Sequence, residues 1–144
     1  MERLRQSIVV LRQAQYDRGA EEPRTNRSAP VISADAIRGY VDLMVLSQLR
    51  HGPSYAYKLA QRITAISGGD YAIKQTTLYS AVKRLESSGH VTSSADIASS
   101  GKARTYYRIT GMGLAHLDAK IEEWHSTKSV VDRFIDIASE GDAP

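Results

Sequence analysis

The amino-acid sequence predicts a mainly α-helical protein that carries a single β-hairpin. Apolar residues recur every three or four positions in most segments, which is the period of an amphipathic helix. Two runs, 91–97 and 105–109, are instead β-prone, and the segment 98–102 between them is small and polar and ends in a lysine. Three helices, a hairpin and one further helix, in this order, are typical of a winged helix-turn-helix followed by a long helix.

Each predicted helix has recognisable boundary residues. One helix is expected from the N-cap Ser33 to about residue 50, where the sequence His51-Gly52-Pro53 ends it. Ser54 is expected to cap the next helix, which runs to a turn at 67–70. The later helices are predicted over 75–88 and 110–138. The side chains expected to be buried are Tyr57, Leu59, Ala60, Ile63 and Ile66 in the helix after Ser54, and Leu78, Val82 and Leu85 in the helix at 75–88.

Composition and periodicity divide the chain into three parts. Residues 2–18 carry Leu4, Ile8 and Leu11 at helical spacing, and a stretch with two prolines follows them. We therefore expect an N-terminal helix and linker at 1–33, a winged helix-turn-helix DNA-binding domain at 34–109 and a C-terminal dimerisation helix at 110–144.

The composition excludes several classes of protein. A chain of 144 residues with 42% apolar and 24% charged residues has the size and balance of one globular domain. It has no cysteine, no apolar run of about 18 residues and no signal-peptide pattern, so we expect a cytoplasmic protein without disulfides or a membrane span. Residues 38–109 hold ten basic and four acidic residues, whereas 110–144 hold three basic and seven acidic ones. The basic middle favours a polyanionic partner.

The sequence shows no pattern typical of catalysis or metal binding. Asp118 and Glu122 have i,i+4 spacing, but two carboxylates on an exposed helix face are ordinarily solvated. No glycine-rich phosphate loop follows a predicted strand. The histidines include no pair at the spacing of a helical zinc site; they are His51, His90, His116 and His125. We expect a protein that is not an enzyme and uses no cofactor or metal.

Three segments resemble the PadR family of transcriptional regulators. The sequence at 75–89, QTTLYSAVKRLESSG, is similar to the recognition helix of that family, and 101–110, GKARTYYRIT, is similar to its basic wing. Upstream, 51–57 resembles the His-Gly-x-x-Tyr-Gly-Tyr turn of the family, with Ala56 in place of the usual glycine. Gly111 stands where the family usually has an acidic residue. The resemblance covers residues 38 to about 137 and implies the short branch of the family, which has one dimerisation helix.

The resemblance and the residue types together indicate a DNA-binding surface. Phosphate contacts need cations or hydroxyl donors on one face, and base edges are read from the beginning of the recognition helix. Some of these residues have an alternative interpretation: Tyr79 can be a packing residue, and Lys83 can be an ordinary solvated lysine. Tyr55 can likewise serve packing or contact backbone phosphate. The expected DNA-binding residues are Gln75, Thr76, Thr77, Tyr79, Lys83, Lys102, Arg104 and Tyr55.

The last predicted helix has an apolar seam with a heptad repeat, which indicates packing against another helix. The seam residues are Leu114, Leu117, Ile121, Trp124, Lys128, Val131, Ile135 and Ala138. A two-fold homodimer is the expected way to bury it, and its interface is assigned to Leu117, Ile121, Trp124, Val131 and Ile135. The resemblance implies that Trp124 lines the dimer centre, where planar aromatic compounds stack, and Lys128 is its neighbour in the seam. An ordinary interface tryptophan is the open alternative.

These observations predict a sequence-specific DNA-binding regulator. We expect a homodimeric repressor that binds double-stranded DNA at an inverted-repeat operator and is released by a small aromatic effector. The alternative is a winged-helix module that binds proteins or assembles without operator recognition. Basic residues on both the recognition helix and the wing favour the first hypothesis.

Overall fold

The computed structural model describes residues 32–141. The predicted helix at 2–18 lies outside the described residues, as does the linker up to residue 31. The order of helices and hairpin predicted for the rest is confirmed. The elements are α1 (Ala34–Ile37), a 3-10 turn (Arg38–Tyr40), α2 (Val41–Leu49), β1 (Ser54–Tyr55), α3 (Ala56–Ile66), α4 (Gln75–Ser87), β2 (Val91–Ile97), β3 (Ala103–Ile109) and α5 (Gly111–Glu140).

The helix predicted from Ser33 to about residue 50 is interrupted. Ser33 caps it as expected, because its hydroxyl accepts a hydrogen bond from the Ala36 amide at 3.2 Å. The helix then gives way to the 3-10 turn, and Tyr40 adopts non-helical backbone angles (φ −117°, ψ 1°) before α2 begins. Gly39 stands within the turn, and glycine is among the residues least favourable to a helix. The prediction of one continuous helix from Ser33 was therefore wrong.

Ser54 does not cap a helix. Ser54 and Tyr55 instead form the short strand β1, which pairs antiparallel with Tyr107 and Tyr106 of β3. α3 begins at Ala56. The residues on its buried face are Ala56, Leu59, Ala60 and Ile63. Tyr57 and Ile66, which we expected to be buried, are 60% and 61% exposed. Tyr57 lies off the face that Leu59 and Ile63 share, whereas Ile66 is on that face but is the last residue of α3.

The sheet is antiparallel, with strand order β1-β3-β2. The hairpin register runs from Val91 opposite Ile109 to Ile97 opposite Ala103. At the tip, the Ala98 amide donates to the Lys102 carbonyl at 2.9 Å, and Gly101 adopts a left-handed φ of +82°. The predicted wing is confirmed, and β3 begins two residues earlier than its predicted start at Thr105.

The core lies between the helices and the inner face of the sheet. As predicted, Leu78, Val82 and Leu85 of α4 point into it. The two adjacent tyrosines of β3 alternate, so Tyr107 is 2% exposed whereas Tyr106 is half-buried on the other face. Further core side chains are Val41, Val45, Leu46, Leu49, Leu59, Ile63, Tyr71, Ile73, Val91 and Leu117.

The long helix α5 has two different halves. Thr110 caps it, since its hydroxyl accepts from the Gly113 amide at 3.0 Å. Leu117 is 1% exposed, inside the core of the chain itself, so its side chain is not available to the helix-to-helix seam to which we assigned it. The reason is that the first turns of α5 pack on α2, with Ile121 partly covered as well. Within residues 32–141, no helix is long and apolar enough to cross a membrane.

Candidate nucleic-acid interface

The helix α4 presents a polar face to solvent. Thr76, Tyr79 and Lys83 are exposed, in agreement with the predicted face, while the apolar face is anchored in the core. Their spacing of three and four residues places them on one side of the helix. Gln75 and Thr76 occupy the first turn, where amides without an intrahelical partner and short side chains can approach DNA.

The wing carries two cations in different surroundings. Lys102 is fully at the surface of the hairpin tip. The guanidinium carbon of Arg104 lies 4.3 Å from the centre of the Tyr55 ring, a cation–π contact. Tyr55 is itself packed edge-on against Tyr106, with ring centroids 5.7 Å apart. The two tyrosines therefore form an aromatic support for Arg104.

A cleft of about 390 Å³ separates α4 from the wing, and we call it the wing-side cleft. It brings together four of the predicted residues, because Gln75 and Tyr79 form one wall while Tyr55 and Arg104 form the other. Tyr57 also lines it, and this residue was missed because it was assigned to the core. Its position two residues before Leu59 could have revealed the error, since residues two apart face different directions on a helix.

The other predicted DNA-binding residues lie around the wing-side cleft or on the opposite flank of α4. Thr76 and Lys83 lie on the exposed centre of α4, and Lys102 lies at the wing tip. Thr77 faces the opposite flank of the helix, where it lines a second groove together with Lys74 and Arg84.

A polar cluster joins α4 to the helices behind it. Arg84, near the end of α4, donates to the carboxylate of Asp42 on α2, and Asp42 also faces Nε2 of His116 on α5 at 3.8 Å. His116 stacks on His90 at 4.1 Å with the rings 8° from parallel. Within residues 32–141, no group of three or more histidine, cysteine or acidic side chains is arranged to hold a metal ion.

Burial and charge act together on His90. Desolvation lowers the pKa of His90, the nearby His116 lowers it further, and Asp42 partly opposes both effects. Its Nδ1 atom is buried and has no hydrogen-bond partner among the described residues. No pattern in the sequence signals this cluster, because its members meet only through the tertiary packing of distant segments.

The predicted effector residues lie midway along α5. Trp124 is 40% exposed, and its ring meets Tyr40 edge-on at 5.0 Å. Lys128 forms an ion pair with Asp132 one turn further on, at 2.8 Å. Trp124 thus keeps one part of its indole free while Tyr40 covers another.

These elements define the class of the protein. A helix-turn-helix whose second helix exposes polar side chains, beside a basic hairpin, is a winged helix-turn-helix of the kind that binds DNA. The profile of the transcriptional regulator PadR-like family matches residues 45–119. The chain belongs to this family, whose members bind DNA and are not enzymes.

Several known proteins are similar over most of the chain. A transcriptional regulator from Clostridium thermocellum is 46% identical, with a TM-score of 0.67, over 73% of this chain and 99% of that one. A PadR family regulator from Eggerthella lenta is 36% identical, with a TM-score of 0.61, over 70% of this chain and 86% of that one. An uncharacterized protein X from Lysinibacillus sphaericus is 32% identical over 74% of this chain and 97% of that protein.

Proposed function

We propose that this protein is a homodimeric repressor that binds an inverted-repeat operator. The observation that carries the proposal is the wing-side cleft, where the first turn of α4 and the wing cation Arg104 share one surface. Recognition-helix residues can then read bases while the wing contacts the adjacent backbone. The net charge of +6 over residues 38–109 supports the same partner.

The proposed roles of the residues follow their positions. Gln75 and Thr76 face base edges from the beginning of α4, whereas Tyr79 and Lys83 contact the phosphate backbone along the helix. Lys102 and Arg104 contact the backbone beside the wing. Tyr55 and Thr77 complete the set of proposed DNA-binding residues, Tyr55 by supporting Arg104 and Thr77 from the far flank of α4.

The outer half of α5 supports the dimer. Beyond the part that packs on the core, it exposes an apolar stripe to solvent, and such stripes on helices mark interaction surfaces. Its side chains are 48–70% exposed and comprise Val130, Val131, Phe134, Ile135 and Ile137. The helix is 30 residues long, about 45 Å, so two copies can pair along it and hold two recognition helices in fixed relation.

An aromatic effector would bind where the two copies of α5 meet. Trp124 has a partly free ring at the point where α5 leaves the protomer core, and the exposed Lys128 lies one turn beyond it. Two such rings related by the dimer axis could enclose a flat apolar compound.

Binding to the DNA upstream of its own gene tests the function directly. Fluorescence anisotropy at several salt concentrations should show binding, and Lys102→Ala with Arg104→Ala should flatten the slope of log affinity against log salt by about 0.9 for each phosphate that is no longer neutralised. Arg50→Ala with Lys120→Ala is the matched control, because these two cations pair with Asp118 and Glu123 and do not line the wing-side cleft. Substitutions at Gln75 and Thr76 should instead change the preference between operator variants. Absence of salt-dependent DNA binding would favour the protein-interaction alternative.

A further inference from the structure

A second groove runs along the flank of α4 that faces away from the wing. Its volume is about 460 Å³, and we call it the basic groove. Apolar side chains, among them Val41 and Tyr71, form its floor. Its polar wall consists of Arg38, Lys74, Thr77, Ser80 and Arg84. Three cations therefore line this groove, and no carboxylate is among its lining residues.

The cations of the basic groove differ in how firmly they are held. Arg84 is fixed by Asp42, which lies behind it. Arg38 pairs with Asp35 at 2.6 Å, but both side chains are more than three-quarters exposed, so that pair contributes little and can exchange for another anion. Lys74 has no carboxylate partner among the described residues. Lys74 and Arg38 are the cations free to bind a ligand.

The hydroxyl groups of the wall divide in the same way. The Ser80 hydroxyl already donates to the Thr76 carbonyl at 2.9 Å, within the helix. Thr77 is exposed in the first turn of α4, three residues after the N-cap Lys74. Its hydroxyl is the donor that this wall can offer to an anion.

The geometry of DNA specifies what should lie in this groove. A helix with its side chains is about 10–12 Å across and the major groove is about 12 Å wide, so a recognition helix fills the groove between two phosphate backbones. One backbone then lies along the flank of α4 that faces the wing. The second backbone must lie along the opposite flank, which is the basic groove.

We propose that the basic groove binds the phosphate backbone of the second DNA strand, with Lys74 and Arg38 as its phosphate contacts. Thr77 donates a further hydrogen bond to this backbone, while Arg84 lines the groove and stays paired with Asp42. This inference rests on the proposed DNA-binding function and extends it, because it gives the recognition helix a cationic contact on both sides.

The test uses the full-length chain with Arg38→Gln and Lys74→Gln combined. The slope of log affinity against log salt should flatten by about 0.9 for each phosphate that is no longer neutralised, equally for operator and unrelated duplex. Arg50→Gln with Lys120→Gln removes the same charge from the C-cap of α2 and from α5, and the slope of this variant should stay that of the unchanged protein. Phosphate-ethylation interference adds a geometric readout: sensitivity should disappear on the backbone across the major groove from the one that Lys102 and Arg104 contact.

Three results would contradict the proposal in distinguishable ways. If the groove variant keeps the slope of the unchanged protein while the Lys102 and Arg104 variant loses it, DNA binding stands and the basic groove is not part of it. If the unchanged protein binds no DNA, the proposed function fails first. If DNA binding is unaffected but inorganic phosphate, titrated by calorimetry, binds only with Arg38 and Lys74 present, the groove is a site for a small anion instead.

Discussion

Gly113, in the first turn of α5, lies directly against the backbone of His90, the residue that links α4 to the wing. A Cβ atom at position 113 would come within 2.1 Å of the His90 carbonyl oxygen. Thr110, the N-cap of α5, is hydrogen-bonded to the same segment. Its amide donates to the His90 carbonyl at 3.0 Å, and its hydroxyl donates to the Gly89 carbonyl at 2.7 Å. The end of the recognition helix and the beginning of α5 are thus held together through one short turn.

Substitution of Gly113 by alanine should therefore be costly. The added methyl group meets backbone, which cannot turn aside as a side chain can, so α5 must shift, at a cost of about 1–3 kcal/mol in the free energy of unfolding. Gly111→Ala is the matched control, because nothing lies within 4 Å of its added Cβ and alanine favours helix. Urea unfolding would measure both variants. Equal midpoints for the two would show that the turn tolerates the methyl group.

The stability of the protein should fall at acidic pH because of His90. Its pKa is lowered in the folded state, so the unfolded chain binds a proton first as the pH decreases. Folding stability that is present above the ordinary histidine value of 6.5 is then progressively lost below it. Urea midpoints between pH 5 and 8 should decline less for His90→Gln than for the unchanged protein. His51→Gln, at an exposed turn, should leave the dependence of the urea midpoint on pH unchanged. If His90→Gln also leaves this dependence unchanged, another group causes the acid sensitivity.

The role of Tyr55 can be separated from a direct phosphate contact. Tyr55→Phe keeps the ring under Arg104 and should leave DNA affinity nearly unchanged, whereas Tyr55→Leu removes the ring. An exposed cation–π contact contributes about 0.5–1 kcal/mol, so the leucine variant should bind operator about two- to fivefold more weakly. In an Arg104→Ala background the same change should have no further effect. An equal loss for phenylalanine and leucine would instead indicate that the hydroxyl contacts DNA.

Local periodicity predicted those parts of the fold that depend on neighbours along the chain. Leu78, Val82 and Leu85 were placed correctly, because residues three and four apart share a helix face whatever the rest of the protein does. Tyr57 was misplaced although the same rule applies to it, since it stands two residues before Leu59 and therefore on a different side of α3.

Contacts between distant segments could not be predicted in this way. The strand at Ser54 and Tyr55 exists because the free edge of β3, some fifty residues later, is there to pair with it. Asp42 meets Arg84 and His116, and the three residues stand on three different helices. The resemblance to the PadR family located the wing and the recognition helix, but it did not indicate the basic groove. The cations of that groove come from segments before α4 as well as from α4 itself.

The dimer should depend on the outer half of α5. Val131→Glu combined with Ile135→Glu places carboxylates on the exposed stripe, where burying them in a two-fold interface costs several kcal/mol per ion. Light scattering should show a monomer, and operator binding should collapse because two half-sites need two linked recognition helices. Ile121 is a poor choice for this test because it also packs on the protomer core.

A matched control distinguishes interface burial from charge alone. His125→Glu with Ser129→Glu adds the same charge to exposed positions on the opposite side of α5, so self-association should persist. Circular dichroism should show the same helical content in all three proteins. A dimer that survives the Val131 and Ile135 substitutions would show that the copies associate through another surface.

The effector hypothesis is tested through Trp124, the only tryptophan of the chain, whose fluorescence reports a single environment in each protomer. Flat aromatic compounds should quench it saturably at micromolar concentrations, since stacking adds about 0.5–1.5 kcal/mol per ring beyond buried area. Trp124→Phe should preserve ligand binding measured by calorimetry, because Phe retains a ring beside Tyr40, while Trp124→Ala should lose it and keep the dimer. An inducer must bind more tightly to the dimer without DNA, so operator DNA should weaken ligand binding by the same factor by which the ligand weakens operator binding. If a compound quenches Trp124 without changing operator affinity, the pocket does not regulate DNA binding. If no phenolic acid or planar compound quenches it, Trp124 is a packing residue of the dimer.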